Sequence, residues 1–257
     1  MSEKNRDGKR TARERLAVER DKQKAADKRR RTLIVGASVV CVLGLAAVIG
    51  VIAANAGKDK GGSAGPVVAP SGAQGKDSLA IPVGKDGARA TLTIWEDFRC
   101  PACQAFETAY RSTLHELEDG GKLRIEYHLV RLIDGNLGGT GSLRAANAAA
   151  CAQDAGKFRD FHDVLYANQP KETDDAFADN DKLIQLAGKV NGLDTPAFRK
   201  CVNDGAHDNW VNKSQKAFQS GGFTGTPTVL FNGKNIYQDQ TLTPAKLKQL
   251  VEQANQG

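Results

Sequence analysis

The chain has 257 residues and a formal net charge of +6, and it is longer than one average domain. The positive charge is confined to the start, because residues 1–31 hold thirteen Lys and Arg against six Asp and Glu. That segment has a net charge of +7, so the rest of the chain sums to −1. No aromatic residue is interleaved with these basic residues, which argues against a nucleic-acid-binding domain.

An uncharged stretch of 22 residues follows at residues 33–54. As a helix it would rise about 33 Å, enough to cross a hydrocarbon core of about 30 Å. Basic residues flank its N-terminal side, so the positive-inside tendency puts residues 1–31 in the cytoplasm and the rest of the chain outside. The pattern predicts a single-pass signal anchor in the cell membrane. A cleaved signal peptide is the alternative, because Ala54 and Ala56 match the small-x-small cleavage pattern.

The segment after the apolar stretch is rich in Gly, Ser, Lys and Pro and cannot build a core, which predicts a flexible linker. The folded domain is expected to begin with the short apolar run near Leu79. The predicted organisation is a basic cytoplasmic tail (1–31), a transmembrane signal anchor (32–55), a flexible linker (56–78) and a folded domain (79–257).

Cys100 and Cys103 carry the clearest chemistry in the chain. Residues 90–95 contain β-branched and aromatic residues in rough alternation, which indicates a strand. Pro101 favours the start of a helix, and apolar residues recur at helical spacing until Gly120. Cys100 therefore lies at a helix N-terminus, where free N–H groups and the helix dipole favour the nucleophilic thiolate. Cys103, one turn further along, can close a disulfide with it.

Two other interpretations of this CxxC pair are weaker. A closed zinc site needs a second pair of ligands, whereas the remaining three cysteines are isolated and the four histidines form no ligand-spaced pair. An inert structural disulfide is the second alternative. We therefore predict neither a metal nor a cofactor. Cys41 lies inside the predicted membrane helix and is interpreted as a small apolar residue.

The remaining elements indicate an α/β protein. A second strand is predicted at 123–132, a glycine-rich loop at 135–141, helices over about 142–220, a hairpin at 228–231 and 235–237, and a final helix from 243 onward.

This element order, combined with the CxxC pair, resembles the DsbA-like branch of the thioredoxin-fold thiol–disulfide oxidoreductases. The likeness covers the chain from about Leu79 to its end and includes Trp95-Glu96-Asp97-Phe98 and Gly225-Thr226-Pro227-Thr228-Val229. The resemblance implies a thioredoxin fold with a helical insertion at about 142–220, here preceded by a single transmembrane helix. It also implies a cis-proline facing the CxxC pair, which would be Pro227.

The resemblance assigns a role to each residue around the pair. Cys100 would be the exposed thiol that forms a mixed disulfide with a substrate, and Cys103 would resolve it. Pro227 would keep metals and bulky groups away, while the Thr226 backbone would pair with an extended substrate strand. Between the cysteines, Pro101 and Ala102 replace the Pro-His of the strongest oxidants of the family, which implies an intermediate redox potential. A more stable Cys100 thiolate would make the protein a better oxidant.

Glu96 is a further candidate supporting residue. Thioredoxin-fold enzymes often carry a buried acid six residues before the first cysteine, for proton transfer, and that position is Ile94 here. Glu96 lies two residues further along the strand and therefore on the same face. It is either a substitute for that acid or an exposed carboxylate near the helix start, and the second interpretation is favoured slightly. Asp97 is expected at the surface, and His162 is interpreted as structural.

Cys151 and Cys201 lie in the predicted helical insertion. Some DsbA-like proteins tie this subdomain with a second disulfide, and an extracytoplasmic domain permits one. A Cys151–Cys201 bridge is therefore favoured over two buried free thiols.

The predicted function is an extracytoplasmic thiol–disulfide oxidoreductase that forms disulfides in thiol-containing secreted or envelope proteins. The family implies a membrane redox partner that re-oxidises the CxxC pair, while residues 33–54 attach the chain to the membrane and no nucleic acid is bound. Two alternatives remain: a disulfide reductase or isomerase of the same fold, and a redox-inactive peptide-binding module. An isomerase usually needs a dimerisation module, and none precedes Leu79.

Overall fold

The computed structural model describes residues 65–256. The predicted cytoplasmic tail, the predicted membrane anchor and the first part of the predicted linker lie outside these residues. Between residues 65 and 256, no helix is long and apolar enough to cross a membrane.

A five-stranded mixed sheet forms the centre of the domain, with the strand order β1-β3-β2-β4-β5. The strands are β1 (Ile81–Val83), β2 (Ala90–Glu96), β3 (Leu123–Leu129), β4 (Thr228–Phe231) and β5 (Lys234–Asn235). The central strand β2 pairs in parallel with β3 and antiparallel with β4. Its inward side chains are fully buried, as at Leu92 and Ile94. The middle of the sheet thus leads directly into the CxxC pair.

The described part of the chain has eight α-helices. They are α1 (Pro101–Asp119), α2 (Leu132–Leu137), α3 (Gly141–Asp154), α4 (Phe158–Ala167), α5 (Asn180–Ala187), α6 (Pro196–Asp204), α7 (Asp208–Ser220) and α8 (Pro244–Gln256). Helix α1 contacts α4 and α8. Helices α3 to α7 form the predicted helical insertion, so this part of the fold prediction is confirmed.

The segment after β3 differs from the sequence prediction. The strand ends at Leu129, and the short helix α2 occupies part of the segment predicted as strand end and glycine-rich loop. Asp97 explains the early end of the strand, because its carboxylate accepts a hydrogen bond from the Ile133 backbone N–H at 2.8 Å. That contact holds the chain in a turn away from the sheet.

Residues 65–78 correct the predicted end of the flexible linker. His207 Nδ1 lies 2.9 Å from the Val68 carbonyl oxygen, and the Trp210 indole N–H donates to the Ser78 carbonyl oxygen at 2.7 Å. The Ser71 backbone N–H also donates to Asp154 Oδ1 at 2.7 Å. Each partner lies on a helix of the insertion or at its cap, so this segment is packed on the domain rather than free.

Cys151 on α3 and Cys201 on α6 form a disulfide with an S–S distance of 2.03 Å. The bond links two helices of the insertion across 50 residues of sequence. Both partners belong to the insertion, whereas the CxxC pair belongs to the sheet and α1. The Cys151–Cys201 disulfide and the free thiols of the CxxC pair therefore lie in different parts of the domain.

Candidate active site

The CxxC pair lies where β2 leads into α1. Cys100 is the N-cap of α1, with extended backbone angles, and Pro101 is the first helical residue. Cys103 is fully buried and Cys100 is only 6% exposed. The expectation of an openly exposed Cys100 thiol is therefore wrong for the free protein, because surrounding segments cover most of it. Pro101 is exposed and Ala102 is half-buried.

The loop before β4 closes one side of the pair. The peptide bond between Thr226 and Pro227 is cis, and the Cys100 thiol donates a hydrogen bond to the Thr226 carbonyl oxygen at 3.2 Å. Pro227 is buried and Thr226 is half-buried. The fold thus brings together residues that are more than 120 positions apart in the sequence.

The two thiols have opposite electrostatic environments. The pKa of Cys100 is lowered from its ordinary 9.0, first because the Cys103 thiol hydrogen-bonds to it. The pKa of Cys103 is raised well above 9.0, first because burial disfavours its thiolate. Thiolate is the reactive form, so this asymmetry favours Cys100 as the nucleophile.

Alkylation of reduced wild-type protein tests this asymmetry. We expect the rate of Cys100 modification by iodoacetamide to reach half its maximum below pH 9, because the Cys100 pKa is lowered. Cys103→Ala removes the main stabilising hydrogen bond, so its midpoint should move upward. The rate is followed by mass spectrometry, with glutathione as the reference thiol. An unchanged midpoint in Cys103→Ala would contradict the assignment of cause.

Glu96 is buried, contrary to the favoured interpretation as an exposed carboxylate. It is 1% exposed, and its Oε1 lies 2.7 Å from Nε2 of His162 on α4. Burial lowers the pKa of His162, but the carboxylates of Glu96, Asp163 and Glu107 together outweigh it, and the net pKa is well above 6.5. His162 therefore has an electrostatic partner at the active site rather than a purely structural role. The sequence showed Glu96 on the correct face but not its partner on α4.

Glu107 joins this pair from α1 and was missed by the sequence analysis. It is 2% exposed, and burial raises its pKa to about 8. Its spacing of four residues from Cys103 puts both on one helix face. That spacing was the one sequence signal for a place of Glu107 near the active site. An acid four residues after a cysteine is common in helices, so the signal is weak.

Asp97 is fully buried, so its expected surface position is also wrong. Its two carboxylate oxygens accept hydrogen bonds from the backbone N–H groups of Arg99 and Ile133, each at 2.8 Å. Burial raises its pKa from 3.8 to about 7. Asp97 thus ties the turn before Cys100 to the start of α2.

Asp97→Asn should flatten the dependence of stability on pH. The folded-state pKa of Asp97 lies above its ordinary value, so the folded chain holds a proton that the unfolded chain has released, and stability falls as pH rises toward 7. Removing this carboxyl should reduce that slope by up to about 1.4 kcal/mol per pH unit between about pH 5 and 7. Urea unfolding across this range measures the slope. The exposed Asp160→Asn is the control, and equal slopes in both variants would contradict the raised pKa.

Arg99 is a second buried polar residue beside Cys100 that the sequence analysis missed. It is 2% exposed, and its guanidinium lies 2.8 Å from a carboxylate oxygen of Asp134 and 2.8 Å from one of Asp175. It also donates to the carbonyl oxygens of Gly138 and Glu172 at 3.0 Å. Four contacts thus hold the residue next to Cys100.

The two carboxylates around Arg99 also cap α3. Asp134 accepts hydrogen bonds from the backbone N–H groups of Ser142 and Leu143, and Asp175 accepts from those of Thr140 and Gly141. A Cβ atom at Gly141 would lie only 2.5 Å from Asp175 Oδ1, so glycine is needed for this approach. The network connects the active-site turn to the first long helix of the insertion.

The comparisons with known proteins agree with this geometry. The thioredoxin family model matches residues 77–253. A probable disulfide bond formation protein D from Bacillus cereus is 29% identical over 154 residues, which is 59% of this chain and 69% of the relative.

Solved structures give the same result. Oxidised DsbA from Mycobacterium tuberculosis has 30% identity and a TM-score of 0.58, over 68% of this chain and 92% of that chain. Oxidised BdbD from Bacillus subtilis has a TM-score of 0.59 at 22% identity, over 75% of this chain and 100% of that chain, and supports the fold alone. The chain therefore belongs to the thioredoxin family and is a DsbA-like protein thiol–disulfide oxidoreductase.

Proposed function

We propose that the Cys100/Cys103 pair is the redox centre and that it donates its disulfide to secreted or envelope proteins. The observation that carries the proposal is the Cys100 thiol at the N-terminus of α1, where it contacts both Cys103 and the Thr226 carbonyl oxygen. Cys100 forms the mixed disulfide with the substrate, and Cys103 is the resolving thiol. Pro101 and Ala102 shape the turn between them.

The reaction transfers two electrons from substrate to protein. A substrate thiolate attacks Cys100 Sγ, the Cys100–Cys103 bond breaks, and Cys103 leaves with the electron pair. A second substrate thiolate then attacks the substrate sulfur of the mixed disulfide, and Cys100 leaves as thiolate. A lowered Cys100 pKa stabilises this leaving group and favours the reduced protein. Once the Cys100 pKa lies below the ambient pH, each further unit of lowering stabilises the thiolate by about 1.4 kcal/mol. The reduction potential of this two-electron couple then rises by roughly 30 mV.

The loop before β4 would receive the substrate chain. Thr226 offers its backbone to an extended segment, and the Cys100 thiol now occupies its carbonyl oxygen at 3.2 Å. Pro227 supplies no N–H donor and would keep bulky groups away from the pair. A substrate strand would replace the thiol at this carbonyl when Cys100 becomes bonded to the substrate.

The proposed location is the outer side of the cell membrane. Residues 33–54 would span the bilayer, with residues 1–31 in the cytoplasm and the linker leading to the domain outside. The Cys151–Cys201 disulfide supports this location, because such bonds persist in oxidising compartments. A membrane redox partner would re-oxidise the CxxC pair after each cycle.

Oxidation of a model substrate tests the proposal. The full-length chain in detergent is oxidised, freed of oxidant and mixed with a reduced, unfolded protein that has two thiols. We expect one substrate disulfide to form for each CxxC disulfide lost, as counted by alkylation and mass spectrometry. Cys100→Ser is the matched control. A substrate that stays reduced beside a folded, oxidised wild-type chain would contradict the proposed function.

A further inference from the structure

A glutamine of the helical insertion contacts the main chain of Cys100. Gln169 lies just after the C-cap of α4, and its side chain is half-buried. Its amide Nε2 donates to the Phe98 carbonyl oxygen at 2.8 Å and to the Cys100 carbonyl oxygen at 3.0 Å. Carbonyl oxygens only accept hydrogen bonds, so the NH2 group of the amide must face them. The two N–H donors of Gln169 thus match two acceptors.

Both acceptors belong to residues 97–100, the active-site turn. The Cys100 backbone N–H closes this turn by donating to the Asp97 carbonyl oxygen at 3.0 Å. The Phe98 carbonyl oxygen has no donor other than Gln169 among the described residues. Phe98 is fully buried, and a buried carbonyl group without a donor is costly. The conformation of the active-site turn therefore depends on Gln169.

The end of α4 fixes the position of Gln169. Asn168 is the C-cap of the helix, and Pro170 disfavours the helical conformation for the residue before it. Tyr166 also faces the active-site turn, but its hydroxyl oxygen is 3.4 Å from the Asp97 carbonyl oxygen. That distance is longer than a usual O–H···O hydrogen bond. Gln169 therefore makes the short contacts between this end of α4 and the turn.

The contacts of the Cys100 sulfur change when a substrate is bonded to it. The bond to Cys103 is broken in the mixed disulfide. The hydrogen bond from the Cys100 thiol to the Thr226 carbonyl oxygen is also lost, because a disulfide sulfur carries no proton. The Gln169 contacts are made to main-chain oxygens, so the reaction does not remove them. Gln169 can therefore hold Cys100 opposite Cys103 at this stage.

We propose that Gln169 is a positioning residue for thiol–disulfide exchange, because it keeps Cys100 aligned with Cys103 while Cys100 is bonded to another protein. In the resolving step the Cys103 thiolate attacks Cys100 Sγ. The bond between Cys100 and the other protein breaks, and the departing sulfur leaves with the electron pair as a thiolate. This step closes the pair when a redox partner re-oxidises it. The inference rests on the proposed function and adds a residue of the insertion to it.

The equilibrium with glutathione measures this alignment. The oxidised full-length chain in detergent is incubated with reduced glutathione at several concentrations and quenched with acid. Mass spectrometry with peptide mapping then counts the closed pair and the mixed disulfide of Cys100 with glutathione. The ratio of mixed to closed disulfide at a given glutathione concentration falls as the effective concentration of Cys103 rises. The ratio compares two folded species, so a general loss of stability leaves it unchanged.

Two substitutions of Gln169 remove its donors. Gln169→Met keeps the length of the side chain but has no N–H group. We expect its ratio of mixed to closed disulfide to be at least about tenfold above that of the wild type, because a small displacement of a reacting group has effects of this size. Gln169→Glu keeps the shape, but at neutral pH its carboxylate would face two carbonyl oxygens. Its ratio should rise at least as much.

Gln104→Met is the matched control. Gln104 on α1 is also half-buried, and its amide donates to the Tyr166 carbonyl oxygen at 2.9 Å. Its side chain therefore joins α1 to α4 without donating to the active-site turn. The ratio of mixed to closed disulfide in Gln104→Met should match that of the wild type.

The outcomes separate the inference from the proposed function. A wild-type ratio in folded Gln169→Met overturns the inference, as does an equal rise in Gln104→Met. If Gln169→Met does not fold by near-UV circular dichroism, Gln169→Asn decides in its place. Its amide is one methylene too short for the same two contacts, so a wild-type ratio there overturns the inference. A folded, oxidised wild-type chain that glutathione neither bonds to nor reduces contradicts the proposed function instead.

Discussion

Arg99→Leu is expected to lower the free energy of unfolding by about 3–5 kcal/mol, because it leaves buried acids without their cation. Arg99 and Asp134 are almost fully buried, at 2% and 3% side-chain exposure, and Asp175 is 33% exposed. The substitution also removes the donors to two backbone carbonyl oxygens. Urea unfolding of the oxidised full-length chain, followed by tryptophan fluorescence, measures the change.

Two further variants test whether the loss of stability in Arg99→Leu comes from the buried contacts of Arg99. Arg99→Lys keeps the charge but lacks the planar fork that reaches several acceptors, so its loss should be intermediate. Arg199 is the matched control, because its paired carboxylate, Asp194, lies with it at the surface. Arg199→Ala should leave the urea midpoint unchanged. Equal losses in Arg99→Leu and Arg199→Ala would contradict the role of the buried network.

Cys100→Ser is expected to abolish thiol–disulfide exchange, because no other described thiol contacts the Thr226 carbonyl oxygen. Cys103→Ser should react once and then accumulate a mixed disulfide between Cys100 and the substrate, since the resolving thiol is missing. Each reduced variant is mixed with a model substrate that carries a disulfide, so that the Cys100 thiolate attacks this bond and one substrate sulfur leaves as a thiolate. Non-reducing electrophoresis separates the resulting species.

The two substitutions also test the order of the cysteines. Cys41→Ser, which changes a cysteine outside the CxxC pair, should behave as the wild type and serves as the control. A mixed disulfide that accumulates in Cys100→Ser but not in Cys103→Ser would reverse the assigned roles. That result would also contradict the opposite pKa shifts of the two thiols.

Local sequence patterns were sufficient to predict the strands and the helix that surround the CxxC pair. The strand before Cys100, the proline that begins α1 and the hairpin near the end each depend on neighbouring residues, and the structure has β2, α1, β4 and β5 there. The sequence placed Thr226 and Pro227 near the CxxC pair through the family resemblance alone, because no local pattern connects segments so far apart.

The buried polar residues could not be predicted in the same way. Glu96, Asp97 and Arg99 stand consecutively around Phe98 and look like surface residues, yet each is at most 2% exposed. Their burial is possible because partners arrive from distant elements: His162 for Glu96, and Asp134 for Arg99. Burying an isolated charge costs a prohibitive amount of free energy. The burial of each residue could therefore be predicted only together with its distant partner.

The start of the domain illustrates the same limit. Residues 65–78 have a linker composition, but His207 and Trp210 on the insertion side bind their carbonyl oxygens. Backbone acceptors are present in every sequence, so composition gives no sign that they are used. Experiments on the domain should therefore retain this segment.

The redox equilibrium of the full-length chain with glutathione tests the central claim most directly. Reduced and oxidised Cys100 and Cys103 are counted by alkylation at a series of glutathione potentials, with Cys100→Ser as the control. The proposed disulfide donor should have a midpoint above about −200 mV, whereas a midpoint near about −270 mV is typical of a reductase and would contradict that role. A folded wild-type chain whose pair never exchanges with glutathione would contradict the assignment of Cys100 and Cys103 as the redox centre.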